Sequence, residues 1–497
     1  MSGSRREFLM TSCAALLAPG VASAGQGEPA PGAPPPATPA PGSPPAFGTA
    51  PPVGPEVSAA TFGEAEKLMM VELTAAERAQ AAQNWRSSMA TLHERRSGPR
   101  KVALAPTLAP YSTWNPVLPG HGPLPQAERF VRSERDPGAL PSADADIAYA
   151  PLWKLARWIE SRHLSSERLT RIYLGRIARF DPRLRCVITL TRDLALAQAR
   201  RADREIAAGH YRGPLHGIPW GAKDLLDTAG IRTTYGAEPF EERVPDADAA
   251  VVQRLHAAGA VLIAKLSLGA LALNDVWFGG QTMNPWLPEE GSSGSSAGPG
   301  AATAAGLVGF SIGSETEGSI VSPSMRCGLT GLRPTFGRVA RSGAMTLCWS
   351  LDKLGPMARS VEDVMLVLQA IAGPDAGDLG SVPAALEFDA GAGVKGLKVG
   401  YFARWMREDP ATEVDRHVLG KLAALGLEPV EVAIPEWPYD DLNTILLAEA
   451  AAAFEELTLS GKAAAMKMQV VDAWPNTFRQ ARFLSAVDFV QTDRLRR

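Results

Sequence analysis

An α/β fold is predicted for the chain from about Asp146 onward, on three observations. Helical periodicity over residues 153–177 and 193–208 leads into an apolar, small-residue run, G-I-P-W-G-A, with the pattern of a buried strand ending at Lys223. A second alternation follows, a helix over residues 248–258 and a strand over 261–264. Leu307, Val308, Phe310 and Ile312 then form a short buried-strand pattern inside a Gly/Ser-dense block at residues 294–331, delivering residues 314–319 onto a glycine-assisted turn. A flexible Gly/Ser linker would be polar throughout. The block therefore has the character of an active site, where small residues let backbone approach a ligand closely.

Ahead of this region the chain changes character three times. Residues 1–24 carry S-R-R-E-F-L from Ser4, a short apolar stretch and an A-x-A pattern at Ala22, Ser23 and Ala24, which predicts a twin-arginine export signal and a periplasmic or extracellular location. Pro19 and Gly20 argue against a core helix there. Residues 25–56 are rich in Pro, Ala and Gly without hydrophobic periodicity, the composition of an extended tether. Residues 57–145 form an N-terminal extension, helical over residues 61–95 with Leu68, Met69, Val71 and Leu73 as its apolar positions, followed by a Pro-dotted stretch over 106–141.

Composition excludes several function classes. The 497 residues are 45% hydrophobic, and 50 basic against 53 acidic residues give a formal charge of -3, so there is no basic footprint for nucleic acid or an anionic membrane. Outside the signal only Cys186, Cys327 and Cys348 remain, too few for a disulfide framework. The seven His are scattered, with no metal-ligand spacing, so neither metal nor cofactor is expected. No integral membrane domain is expected either; the assembly state is open, a homodimer being one option.

The block at 294–331 does not stand alone. Upstream runs R-G-P-L-H-G-I-P-W-G-A-K-D, ending at Asp224, then Asp227, Gly230 and T-T-Y-G ending at Gly236. Downstream come D-A-A-V-V-Q-R-L-H-A-A-G-A-V-L-I-A-K, ending at Lys265, G-L-R-P-T-F-G-R-V, ending at Val339, and D-K-L-G-P-M-A-R-S-V-E-D, ending at Asp363. In kind and order these segments resemble the amidase signature family of serine hydrolases, most clearly over residues 152–363. The resemblance implies a large mixed, twisted β-sheet sandwiched between helices over residues 146–497, with no cofactor and a small-molecule amide as substrate. Members of that family typically continue beyond the point matching Arg497, so a shortened C-terminus is expected, where Phe483, Leu484, Ala486, Val487, Phe489 and Val490 would build an apolar helical face.

Amide hydrolysis needs a nucleophile, a group to carry its proton and donors for the oxyanion. His216, in L-H-G-I-P, has the surroundings of a structural turn, so a lysine base is required. Buried beside serines, Lys223 would be driven toward its neutral form, because desolvation disfavours the ammonium. The resemblance makes Lys223 the general base, Ser319 the nucleophile and Ser295 the bridging serine, held in a cis peptide in that family. The 24-residue separation from Ser319 selects Ser295 over Ser292 and Ser293. Backbone N–H groups of Thr316, Glu317, Gly318 and Ser319 would form the oxyanion hole.

Two departures matter. Glu317 replaces a common glycine beside the oxyanion donors, harmful if its carboxylate points inward and harmless if outward. Val321 stands where many relatives carry Arg; Arg326, five positions on, is expected in a structural ion pair, with binding of an acidic substrate as the alternative. The reaction expected is hydrolysis of a linear carboxylic acid amide to the acid and ammonia or an amine. The alternatives are an esterase using the same serine, a catalytically silent exported binding protein and a component of a tRNA-dependent amidotransferase.

Overall fold

Every residue of the strands Pro219–Lys223 and Val261–Leu266 is buried, so both faces of the sheet at its centre are covered by other elements. The computed structural model describes residues 47–105, 107–113, 128–383, 385–408 and 411–497. The export signal expected at 1–24 and most of the tether lie outside the described residues.

The central sheet has six strands: β1 (Val187–Leu190), β2 (Pro219–Lys223), β3 (Val261–Leu266), β4 (Phe310–Glu315), β5 (Thr330–Gly331) and β6 (Lys353–Ala358), in spatial order β1-β3-β2-β4-β6-β5. Strands β3, β2 and β4 run parallel, while β1, β6 and β5 join antiparallel, which makes the sheet mixed. Trp220 of β2 pairs with Phe310 of β4 and their rings stack 6.1 Å apart, locking the register that brings Lys223 beside the end of β4. The helices Ser166–Leu184 and Arg192–Ala207 pack on each other and on β2 and β3, the helix Ala297–Ala304 lies against β2, β3, β4 and β6, and the helix Val361–Ile371 packs on β6. The helix Ala297–Ala304 is buried throughout, and its composition of Ala, Gly, Pro and Thr is what fits so close to a sheet.

The helical pattern expected over 153–177 is two helices, Leu152–Glu160 and Ser166–Leu184, separated where Arg162 takes φ +61° and Ser165 caps the second by accepting from Arg168 N. The edge strand β1 escaped the periodicity because it is only four residues long and half-buried.

Two differences concern the ends. The extension is three helices, Ala59–Met69, Ala75–Ser88 and Ala90–Ser97, not one helical segment over 61–95. The first stops at Met70 (φ +52°), and Thr74 with Glu77 forms a reciprocal capping box that starts the second. Leu68 is therefore 85% exposed and Met69 is exposed too, while Phe62, Leu73 and Ala81 form a small core completed by Trp85 and Phe483. At the other end, Phe489 packs on the main core as expected, but Val487 and Val490 are exposed and the helix Ala486–Arg496 buries Asp488, Thr492, Asp493 and Leu495 where an apolar face was expected. The extension explains that inversion: Arg95 and Arg96 pair with Asp488, and Ser112 N donates to Asp493.

Candidate active site

The carboxyl ends of parallel strands form a natural crevice in an α/β sheet. Here β2 ends in Lys223 and β4 ends in Ser314 and Glu315, side by side in the sheet. Lys223 is wholly buried, and its Nζ lies 2.9 Å from Ser295 Oγ, 3.0 Å from Ser296 Oγ and 2.8 Å from Ser314 Oγ, with Ser314 O at 3.4 Å. Burial holds its pKa well below the ordinary lysine value, against the more distant negative charges of Asp352 and Glu315. The amine can therefore accept a proton.

Ser295 and Ser296 stand in the turn that opens the helix Ala297–Ala304, and the Gly294–Ser295 peptide is cis, as the resemblance implied. Gly313 lets this turn close on β4: a Cβ there would meet Ser296 Oγ at 2.8 Å. Ser296 Oγ donates to Ser314 O at 3.0 Å and accepts from Ser314 N at 3.2 Å, so it rivets turn and strand together. Ser292 and Ser293 are otherwise engaged, Ser292 Oγ with Ser293 O and Ser293 Oγ with Ser322 Oγ.

Ser319 is half-buried in the turn after β4, and its carbonyl accepts from Ser296 N at 3.1 Å, tying it to the residue next to Ser295. Among the described residues, the N–H groups of Thr316, Glu317, Gly318 and Ser319 donate to no protein acceptor. Their neighbours' carbonyls are occupied: Thr316 O accepts from Lys353 Nζ at 3.1 Å and Gly318 O from Ser322 N at 2.8 Å. Because C=O and N–H oppose each other across a trans peptide, these bonds turn the Glu317 N–H away from Lys353 and the Ser319 N–H away from Ser322. Gly318 takes φ +87°, which a side chain would strain. Glu315 completes the turn, its Oε2 accepting from Ile320 N (2.8 Å) and Val321 N (2.9 Å) at the start of the helix Val321–Cys327.

Glu317 is an exposed residue of the turn. Desolvation by the protein around it raises its carboxyl above the usual range, with repulsion from Asp440 and Glu315 added and Lys353 opposing. Beside the site a cavity of about 240 Å³ is lined by Leu225, Ser314, Thr316, Met345, Trp349 and Asp352, among others. Arg341 at its edge is fully committed, to both carboxylate oxygens of Asp378 and to the carbonyls of Trp349 and Asp352.

His216 is a structural residue: its Nδ1 accepts from Arg212 N at 3.1 Å, its Nε2 lies 3.1 Å from Glu205, and burial lowers its pKa against the pull of Glu205. Arg326 forms the expected ion pair, 3.1 Å from Glu290 with both side chains buried. Cys327 is a buried free thiol. Among the described residues no group of His, Cys, Asp and Glu could hold a metal, and no helix is long and apolar enough to cross a membrane. The sequence placed Ser314 and Glu315 on the turn, and Asp352 and Lys353 at the head of a motif, without giving any of them a role, and only its place next to Ser295 marked Ser296.

The profile of the Amidase family matches residues 168–493. The chain belongs to the amidase family. Its relatives include a glutamyl-tRNA(Gln) amidotransferase component of Methylococcus capsulatus, 41% identical over 57% of this chain and 60% of that protein. A putative amidase of Mycobacterium bovis is 44% identical over 50% of this chain and 52% of its own length. The chain thus spans about 60% of the length of the first of these amidase-family relatives. The native peptide amidase of Stenotrophomonas maltophilia superimposes with a TM-score of 0.62 at 32% identity, covering 69% of this chain and 78% of that one. Together with the mixed sheet and its covering helices, this establishes the amidase signature fold.

Proposed function

We propose that the protein hydrolyses a linear carboxylic acid amide to the acid and ammonia or an amine through a serine acyl-enzyme. The observation that carries this reading is the solvent-free amine of Lys223 within 2.9 Å of the Ser295 hydroxyl. Neutral Lys223 takes the Ser295 proton as Ser295 takes that of Ser319, and Ser319 Oγ attacks the acyl carbon. The resulting oxyanion is held by the N–H groups of the turn at residues 316–319, a donor of this kind being worth ~3 kcal/mol in comparable hydrolases. The proton returns through Ser295 to the departing nitrogen as the C–N bond breaks, and water then releases the acid by the same route in reverse. Family membership and the likeness to a peptide amidase support the reading.

Fluorophosphonate labelling of the purified chain, with ammonia release from an amide panel, tests it. Labelling and hydrolysis are expected in the native chain and lost in Ser319→Ala and Lys223→Ala; hydrolysis persisting in both variants would overturn the proposal. The likeness to glutamyl-tRNA(Gln) amidotransferase components favours a second reading, ammonia delivery to an aminoacyl-tRNA. Glutamine-dependent product formation that requires tRNA and ATP separates the two. The proposal includes export through the signal at residues 1–24, which replacement of Arg5 and Arg6 by Lys should abolish in a cell-fractionation assay.

A further inference from the structure

The start of β6 places two consecutive charged side chains on one residue of the oxyanion turn. Thr316 Oγ1 donates to Asp352 Oδ1 at 2.6 Å, and Thr316 O accepts from Lys353 Nζ at 3.1 Å. Thr316 is thereby gripped at both its side chain and its carbonyl. Fixing that carbonyl fixes the plane of the Thr316–Glu317 peptide and with it the direction of the Glu317 N–H. The other Asp352 oxygen accepts from Leu347 N (2.8 Å) and Cys348 N (2.9 Å), in the segment that walls the cavity. That segment is held from behind, since Glu449 accepts from Ser350 N at 2.9 Å and Ser350 Oγ at 2.5 Å.

We infer that Asp352 and Lys353 are positioning residues that clamp Thr316, setting the oxyanion donor at Glu317 and joining it to the wall of the substrate cavity. Neither touches the reacting atoms; each acts through Thr316. The arrangement answers a problem this chain has at residue 317. With Glu in place of a small residue, the peptide must be held so that its N–H faces the substrate while its carboxylate stays clear of the oxyanion. A grip on the preceding carbonyl does that. A misplacement of about 1 Å in such a site can cost ~100-fold in rate.

The inference rests on the amide-hydrolysis reading, and its test reads the serine independently of the amide. Thr316→Val removes the hydroxyl donor, Lys353→Met removes the carbonyl's partner, and Thr316→Ser restores the hydroxyl. Two quantities are measured for each: kcat and KM on an amide, normalised to serines titrated by exhaustive fluorophosphonate labelling, and the rate of that labelling, since the phosphonyl oxygen uses the same donors. Normalisation removes any unfolded fraction. Thr316→Val and Lys353→Met should each lower kcat and labelling rate about tenfold or more, with KM within about twofold, and less than multiplicatively when combined; Thr316→Ser should recover the native rate. Rates unchanged in both single variants would overturn the clamp while leaving hydrolysis by Ser319 intact. A chain that labels but releases no product from any amide would sink the hydrolysis reading, and the labelling rates would still decide the clamp. A native chain that neither labels nor hydrolyses would overturn both.

Discussion

Lys223 Nζ and Ser295 Oγ sit 2.9 Å apart, and neither residue is more than 1% exposed. An amine in that setting is costly when charged, which gives catalysis and stability the same pH sign. Burial lowers the Lys223 pKa in the folded protein well below 10.5. Catalysis should therefore rise with pH through that depressed pKa, as the base becomes neutral, and Lys223→Met should lower kcat by about 10²- to 10⁴-fold. For stability, the unfolded chain binds the proton up to about pH 10.5 while the folded chain releases it earlier. The penalty of burying the charge is thus fully present below the folded pKa and fades as pH rises toward 10.5. Thermal unfolding from pH 6 to 10 should show native stability climbing relative to Lys223→Met; a gap that does not change with pH would contradict a neutral amine.

Three serines contact Lys223, yet they are not equivalent. Ser296 Oγ already exchanges two bonds with the Ser314 backbone, a structural rivet with little freedom to pass a proton. Among the described residues, the Ser295 hydroxyl has Lys223 as its one hydrogen-bond partner, leaving it able to face a second oxygen. Ser295→Ala should accordingly lower kcat by ~100-fold or more with little change in unfolding temperature. Ser296→Ala should cost about 1–2 kcal/mol of stability by undoing the rivet. Steady-state kinetics paired with calorimetry on the two variants checks the division of labour, and equal kinetic losses would refute it.

How much of this was legible beforehand follows from where the information resides. Lys223, Ser295 and Ser319 were singled out through the resemblance, which rests on local runs of small residues, and such runs suit close backbone approach of the kind Gly313 makes to Ser296. The central strands were readable because burial on both faces leaves a continuous apolar run. Lys353 was not, since a lysine opening a strand looks the same whether it meets solvent or, as here, the carbonyl of Thr316. The C-terminal helix was misread for a related reason. Its Asp488 and Asp493 signal a solvated face, and only partners about 390 residues away, Arg95 and Arg96 on Asp488, make that face an interior one.

Arg326 and Glu290 provide a test of structure against substrate binding. Their buried pair is 3.1 Å apart, and removing one member strands the other. Arg326→Met should cost about 3–5 kcal/mol in denaturant unfolding, and a compensating Glu290→Gln should recover a large part of it. KM should be unaffected in whatever fraction folds. A selective rise in KM for acidic substrates, at native stability, would move Arg326 into the substrate site.

Arg95 joins the extension to the C-terminal helices through two carboxylates, Asp441 at 2.8 Å and Asp488 at 2.5 Å. The two differ in what they lose without it. Asp488 retains Arg96 and the Ser485 hydroxyl; burial pushes its pKa up, but Arg96, Ser485 and Arg95 outweigh that and hold it below 3.8. Asp441, fully buried, has its pKa raised by burial, resisted by Thr492, Arg95 and Thr444, so Arg95→Ala should raise it further. With the folded pKa above the unfolded one, the folded state binds more protons in between, and stability falls as pH rises through that window. The variant should therefore lie close to the native protein near pH 4 and fall behind as pH approaches 7, by about 3 kcal/mol once Asp441 must ionise unpaired. Urea unfolding at pH 4, 5.5 and 7 measures the gap. A gap that stays the same at all three pH values would mean that Arg95 acts through its packing and not through the Asp441 charge.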